Sequence, residues 1–369
     1  MSNVDQTTMR RSRMGNFHHD PILASNLFTL FAPLTDNGNV YLINKRGSVV
    51  HQWKLSMRPG RHAVILSNGN LGYNGAHPDS PNLYPAWELW HGGCFNEVTP
   101  SGEIVWEHTD MAHHHDGQWL PNGNIIYTVV ERLPRDIAQI VSGKKRKFNN
   151  TVDYYGDVIK EVNRSGQVVW LWKSWEHLDI TSYPVHEIFN NNHWPLINGL
   201  SITSSGNLLI SLRTTSGVIL VDKKSGACLW EIKSDIVAQQ HAPLELNNGN
   251  FLIFDNGNFR PSKHIPFSRV LEINPTNLQI IWEYTDTNPS AFFSPYMGSA
   301  QRLENGNTFI VEAHSGRLFE VTSQKEIVWE YVIPFFNEYF SNTLREISPG
   351  LTNSVFKAYK YNHDSVSWL

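Results

Sequence analysis

Six copies of one phrase, spread along the whole chain, constrain the fold more than any other feature. The phrase opens with a turn of the form Asn-Gly-Asn, at Asn37-Gly38-Asn39, Asn68-Gly69-Asn70, Asn122-Gly123-Asn124, Ser205-Gly206-Asn207, Asn248-Gly249-Asn250 and Asn305-Gly306-Asn307. It closes with a β-branched pair before an aromatic: Val49-Val50-His51, Ile104-Val105-Trp106, Val168-Val169-Trp170, Cys228-Leu229-Trp230, Ile280-Ile281-Trp282 and Ile327-Val328-Trp329. Only His51 and Cys228-Leu229 deviate from that pattern. The second element recurs every 47 to 64 residues, as four-stranded propeller blades do. Asn-Gly supplies the positive φ of a tight hairpin, and β-branched and aromatic residues suit a half-buried pleated surface.

Six separate sheets would leave edges and apolar faces exposed, whereas a closed ring packs each sheet against two neighbours. The expected fold is therefore all-β: a single-domain, six-bladed β-propeller over residues 21–369, after a disordered or extended arm at 1–20. Only one strand pair separates the first Asn-Gly-Asn from the second, so N-terminal strands should complete a blade begun at the C-terminal end. The longest insertions run from His77 to Trp90 and from Arg132 to Asp153. Long amphipathic helical periodicity and Gly-rich phosphate loops are both missing, which argues against α/β nucleotide folds.

With 40% hydrophobic and 17% charged residues among 369, the chain can bury a large core. A net charge of −4 gives no footprint for nucleic acid, and the one basic run, Lys144-Lys145-Arg146-Lys147, reads as a solvated loop. Cys94 and Cys228 are too few for a disulfide framework or a zinc site, although a bridge between the two stays open. Arg10, Arg11 and Arg13 precede an apolar stretch broken by Ser25 and Asn26, so no signal peptide is expected. No run approaches the ~20 apolar residues of a membrane helix. These readings predict a cytoplasmic protein with neither membrane nor nucleic-acid partners; its oligomeric state stays open.

The innermost strand of each blade lines a propeller's channel, so residues at one offset before the turns converge. Seven positions before the turn stand His115, Asn198, His241 and Gly298. Arg213 ends the strand that follows Asn198's own and can reach the channel mouth. Two imidazoles, an amide and a guanidinium without carboxylates make a donor-rich pocket for an oxyanion such as sulfate or phosphate. Most of the 17 histidines are better read as structural or surface residues. His113 and His114 lack the offset, though a neighbouring ring can orient its partner; Asp116 is read first as a backbone acceptor of the hairpin and second as an acid that holds an imidazole tautomer. Trp87, Trp90, Trp175 and Tyr183 are candidates for an aromatic lid, and the blade-end aromatics for packing between blades.

With these residues in view, the chain resembles the bacterial aryl-sulfate sulfotransferases, which move sulfuryl groups between phenols without a nucleotide donor. The likeness runs through most of the chain. It rests on His114-His115-Asp116 before Leu120-Pro121-Asn122-Gly123-Asn124, on Ser211-Leu212-Arg213, on Gln240-His241 and on Phe254-Asp255-Asn256-Gly257. Gln301 to Thr308 and Gly316 to Val321 also fit. The resemblance implies that His241 is the nucleophile that takes up the sulfuryl group, with His115 and Arg213 stabilising its oxygens. It places Asn198, His114, Asp116, Trp194 and Asn256 around small aromatic substrates and requires no cofactor. In Trp194-Pro195-Leu196-Ile197-Asn198-Gly199 the family's second imidazole is replaced by Leu196, its Ser by Gly199, and the Asp after Gln-His by Ala242. His193 lies three residues before Leu196, an odd displacement that on a strand points to the opposite face. Sulfuryl transfer by a ping-pong route through a sulfohistidine is the first expectation. A repurposed lyase, isomerase or cyclase acting on a small anionic or aromatic metabolite is the second, and a noncatalytic binding propeller the third.

Overall fold

Among the described residues, the segments between the turns form 26 short strands, grouped into six sheets around one axis that are antiparallel except where His193–Trp194 pairs in parallel with Tyr155–Val162. The computed structural model describes residues 14–84, 86–143, 152–189, 192–261 and 265–369; the basic run at 144–147 and most of the N-terminal arm lie outside them. Strands Pro59–Ile65, His113–Trp119, Ile197–Ile202, His241–Glu245 and Ser299–Arg302 are the inner strands of blades 2 to 6. Blade 1 takes its inner strand, Val355–Tyr361, from the C-terminal end and pairs it with Phe28–Pro33 from the N-terminal end. The ring is thus closed by the junction expected from the turn spacing. Gly15–His19 adds a fifth strand outside Ile327–Val332 in blade 6.

The six Asn-Gly-Asn turns are not all equivalent. Those starting at residues 68, 122, 205, 248 and 305 join an inner strand to the second strand of its blade, whereas Asn37-Gly38-Asn39 joins the second strand of blade 1 to the third. Blade 1 lacks the inner turn because its inner strand comes from the other end of the chain.

In four blades the turn asparagines also do more than permit positive φ. Asn68 and Asn70 donate to Glu97, Asn124 to Glu161, Asn248 and Asn250 to Glu272, and Asn307 to Glu320. Each glutamate lies on the third strand of the same blade and pairs with a cation of the next: Arg164, Lys223, Arg302 and Lys360 respectively. Where the turn has Ser205, the third strand has Leu220 at the glutamate position, so both halves of the device are missing together.

The outer strands carry a second repeated bond. The aromatic of each phrase donates to a turn carbonyl of the following blade: Trp106 to Arg164, Trp170 to Lys223, Trp230 to Pro275, Trp282 to Ser323 and Trp329 to Lys45. His51, the deviant in sequence, is bonded through Nε2 to the carbonyl of Pro100 and so occupies the sixth place. At about 1 kcal/mol each, these bonds fix the angle between blades more than they drive folding. Cys94 and Cys228 are both free thiols, one buried in blade 2 and the other exposed on the rim of blade 4, which removes the disulfide left open by the sequence.

Candidate active site

The inner strands are short and begin at the channel mouth, so their first residues face one another there. His115, Arg213 and His241 line a single cavity of about 230 Å³, together with Arg61, Trp90, Tyr296, Met297, Tyr339 and Phe356. Phe356, from the C-terminal strand, forms its hub: the rings of His115 and His241 each lie 6.3 Å from it, and the Arg61 guanidinium is 5.4 Å from its centroid. Two short helices, Trp87–Trp90 and Asn342–Ile347, flank the mouth. Arg61 stands seven residues before Asn68, so the offset that singles out His115 and His241 also points to it.

His241 is anchored on both ring nitrogens. The Asn256 amide donates to the carbonyls of Ser294 and Met297, which turns its Oδ1 toward His241 Nδ1 at 2.7 Å. Nδ1 therefore carries the proton, and Nε2 accepts from the Met297 N–H at 3.1 Å. Burial, reinforced by the Arg213 charge, pulls the imidazole down to about 3, so it is neutral across the physiological range. His115 is likewise held well below the ordinary imidazole value by burial and by Arg61.

Among the described residues, no carboxylate lies within salt-bridge distance of Arg61 or Arg213. Burial lowers Arg61 to about 9 and Arg213 to about 10, which leaves both charged at neutral pH. A buried and a half-buried cation without acids, between aromatic walls, favour an aromatic anion.

The remaining candidates sit around the cavity rather than in it. His114 Nδ1 is 2.9 Å from His115 Nδ1 and so orients that ring. Asn198 donates to the carbonyl of Gln240, holding the residue before His241. Asp116 accepts from Gly117 and Leu200 N–H, the backbone role, and also pairs with Lys357 at 2.5 Å, tying blades 3, 4 and 1 together across the channel. Trp194 is packed in the core between blades 3 and 4, with its indole N–H on the carbonyl of Tyr183. Of the aromatic lid, only Trp90 reaches this cavity. Trp87 borders a neighbouring surface cavity, and Trp175 and Tyr183 pack into blade walls.

A second cavity, of about 360 Å³, shares Trp90 and Arg213 with the first and adds Tyr84, His193 and Leu196. His193 and Leu196 thus face the same space, contrary to the strand-alternation argument. Leu196 has φ +61°, so the segment is no regular strand and the count of faces does not apply. Of the nine non-glycine residues at positive φ among the described residues, His115, Leu196 and Met297 line these cavities, and Gln239 and Ala242 lie within two positions of His241. Backbone outliers gather where structure is constrained by a site. Gly199 is required by packing, since a Cβ there would lie 2.8 Å from the Ala242 nitrogen.

The fold and the site define a six-bladed propeller with a cationic, aromatic pocket at its channel mouth. The family model described as arylsulfotransferase (ASST) matches residues 90–333, and the chain belongs to that family. No curated protein matches the sequence. Among solved structures, a protein of unknown function from Bacteroides caccae is 13% identical with a TM-score of 0.57, over 92% of this chain and 100% of that one. A virginiamycin B lyase from Staphylococcus aureus is 13% identical with a TM-score of 0.45, over 88% and 89%. The first likeness is one of fold alone.

Proposed function

We propose that this propeller moves a sulfuryl group from an aryl sulfate to a phenolic acceptor through a sulfohistidine at His241. The observation that carries this reading is the meeting, in one small cavity, of two guanidiniums without acids and an imidazole held neutral with its proton fixed on Nδ1. In the first half-reaction Nε2 of His241 forms a bond to sulfur as the sulfur–aryl oxygen bond breaks, and a phenolate leaves. The Met297 N–H must give up its bond to Nε2 as that happens. In the second, the acceptor phenol attacks sulfur, the sulfur–nitrogen bond breaks, and the acceptor's proton passes to solvent or to the departed phenolate. Arg61, Arg213 and His115 surround the position of the sulfuryl oxygens, where preorganised donors lower the barrier. Asn256 and Asn198 position His241 without touching substrate.

Leu196 supports a second reading. An aliphatic side chain where the family resemblance implies an imidazole removes a proton donor of the kind worth ~10²–10⁴-fold in rate, which suits a repurposed pocket acting on another aromatic or anionic metabolite. Incubation with 4-nitrophenyl sulfate, with and without a phenol acceptor, separates the two. Sulfuryl transfer requires acceptor-dependent nitrophenolate release and a transient one-sulfuryl mass adduct, both lost in His241→Ala. A folded protein with neither turnover nor adduct excludes the first reading.

A further inference from the structure

Behind His115, three buried side chains from three strands of one sheet bring their ligating atoms to one point. His114 Nε2 and His193 Nε2 each lie 2.8 Å from the same oxygen, Asp157 Oδ1. All three ligating atoms fall within 4.8 Å of one another. The His114 side chain is fully buried, yet its Nε2 makes no hydrogen bond of acceptable geometry. A buried polar atom aimed at a carboxylate without bonding to it needs another partner.

We propose that His114, Asp157 and His193 hold a transition-metal ion. Two imidazoles and one carboxylate form a borderline nitrogen and oxygen set, suited to iron(II), manganese, cobalt, nickel or zinc rather than to calcium or magnesium. With metal–ligand bonds of about 2.1 Å, the 2.8 Å nitrogen–oxygen separations correspond to angles of about 84°, nearer the right angle of a six-coordinate centre than the tetrahedral angle.

The surrounding contacts have the form expected around metal ligands. His193 Nδ1 is 2.7 Å from the Tyr84 hydroxyl, His114 Nδ1 is 2.9 Å from His115 Nδ1, and Asp157 Oδ2 accepts from the Ile197 N–H at 3.0 Å. Each ligand's other polar atom is thereby anchored, which fixes ring orientation. His193 also lines the 360 Å³ cavity, which puts the cluster next to the space that Arg213 borders.

The ion also sets the protonation of the site. With His114 Nε2 on the metal, its Nδ1 carries the proton and donates to His115 Nδ1. His115 then holds its own proton on Nε2, toward the first cavity, as a donor to a bound anion. Without the ion, an N–H from His114 to Asp157 would reverse both assignments.

The test does not depend on the sulfuryl-transfer reading. Tag-free protein grown with iron, manganese, cobalt, nickel and zinc, then desalted, is expected to contain about one transition-metal ion per chain by elemental analysis. His193→Ala and Asp157→Asn should reduce this at least about tenfold, while His177→Ala, an exposed histidine on another surface, should leave it unchanged. Chelator-treated wild-type protein should regain a cobalt(II) absorption spectrum that saturates at about one equivalent. Metal-free wild-type protein that takes up no cobalt, or ion retained in both ligand variants, would overturn the assignment. The wild-type measurements decide the matter even where a variant fails to fold.

Discussion

His241 owes its neutral, Nδ1-protonated form to residues that sequence spacing does not connect. Asn256 is fifteen positions away, and its orientation comes from two carbonyls on the segment that leads into blade 6. Replacing Asn256 by Ala should leave the fold intact and lower kcat on the order of 10²-fold, measured with a good-leaving-group aryl sulfate. Arg61→Met should lower kcat/KM by about 10²–10³-fold, with Arg61→Lys recovering part of it, because a point charge replaces a fork of donors. The depressed imidazoles have a consequence for stability. His241, at about 3, and His62, pulled down to about 4 by burial, stay neutral in the fold, while in the unfolded chain they take up protons near 6.5. Below that value the unfolded state binds more protons, so stability present above pH 6.5 is lost as pH falls toward 4 and then 3. The loss is of the order of several kcal/mol for the two together. A thermal melt series from pH 7 to pH 4 should show the midpoint falling steadily; a flat series would contradict the neutral, buried state of both rings. At this scale the offset count from the turns found His115 and His241 because inner strands repeat. It could also have found Arg61, but not Asp157, which stands on the third strand of its blade, nor Phe356, whose inner strand is followed by no Asn-Gly-Asn turn.

At the level of strands and turns, the two repeated bonds divide the work. The indole-to-carbonyl bonds lie at the rim and are partly exposed, so Trp282→Phe should lower stability by only about 1 kcal/mol, readable as a small shift of the urea midpoint. The glutamate of blade 6 is different. Glu320 is fully buried and accepts from Ser25, Asn307 and Lys360, joining the third strand of blade 6 to both ends of the chain. Lys360→Met strips that carboxylate of its cation and should cost roughly 3–5 kcal/mol by the same measurement. The turns and outer strands were legible in sequence because hairpin chemistry is local. The pairing of each turn with a glutamate two strands later was not, since nothing local marks that residue as the partner. The same limit explains why Asn37-Gly38-Asn39 reads as a sixth equivalent turn: the chemistry of the turn is identical and only its place in the blade differs.

For the molecule as a whole, closure and site are one construction. Val355–Tyr361 supplies the inner strand of blade 1, the Phe356 hub of the cavity, Lys357 on Asp116 and Lys360 on Glu320. A chain ending at Ser354 should therefore show no cooperative thermal transition by circular dichroism, rather than a five-bladed remnant, because its first and last blades would face each other with open edges. In time, this strand is also translated after every other strand described. Until it leaves the ribosome, the two guanidiniums and the His241 imidazole have no common wall to gather against. The pocket is thus completed in a single late step rather than built up gradually on a nascent chain.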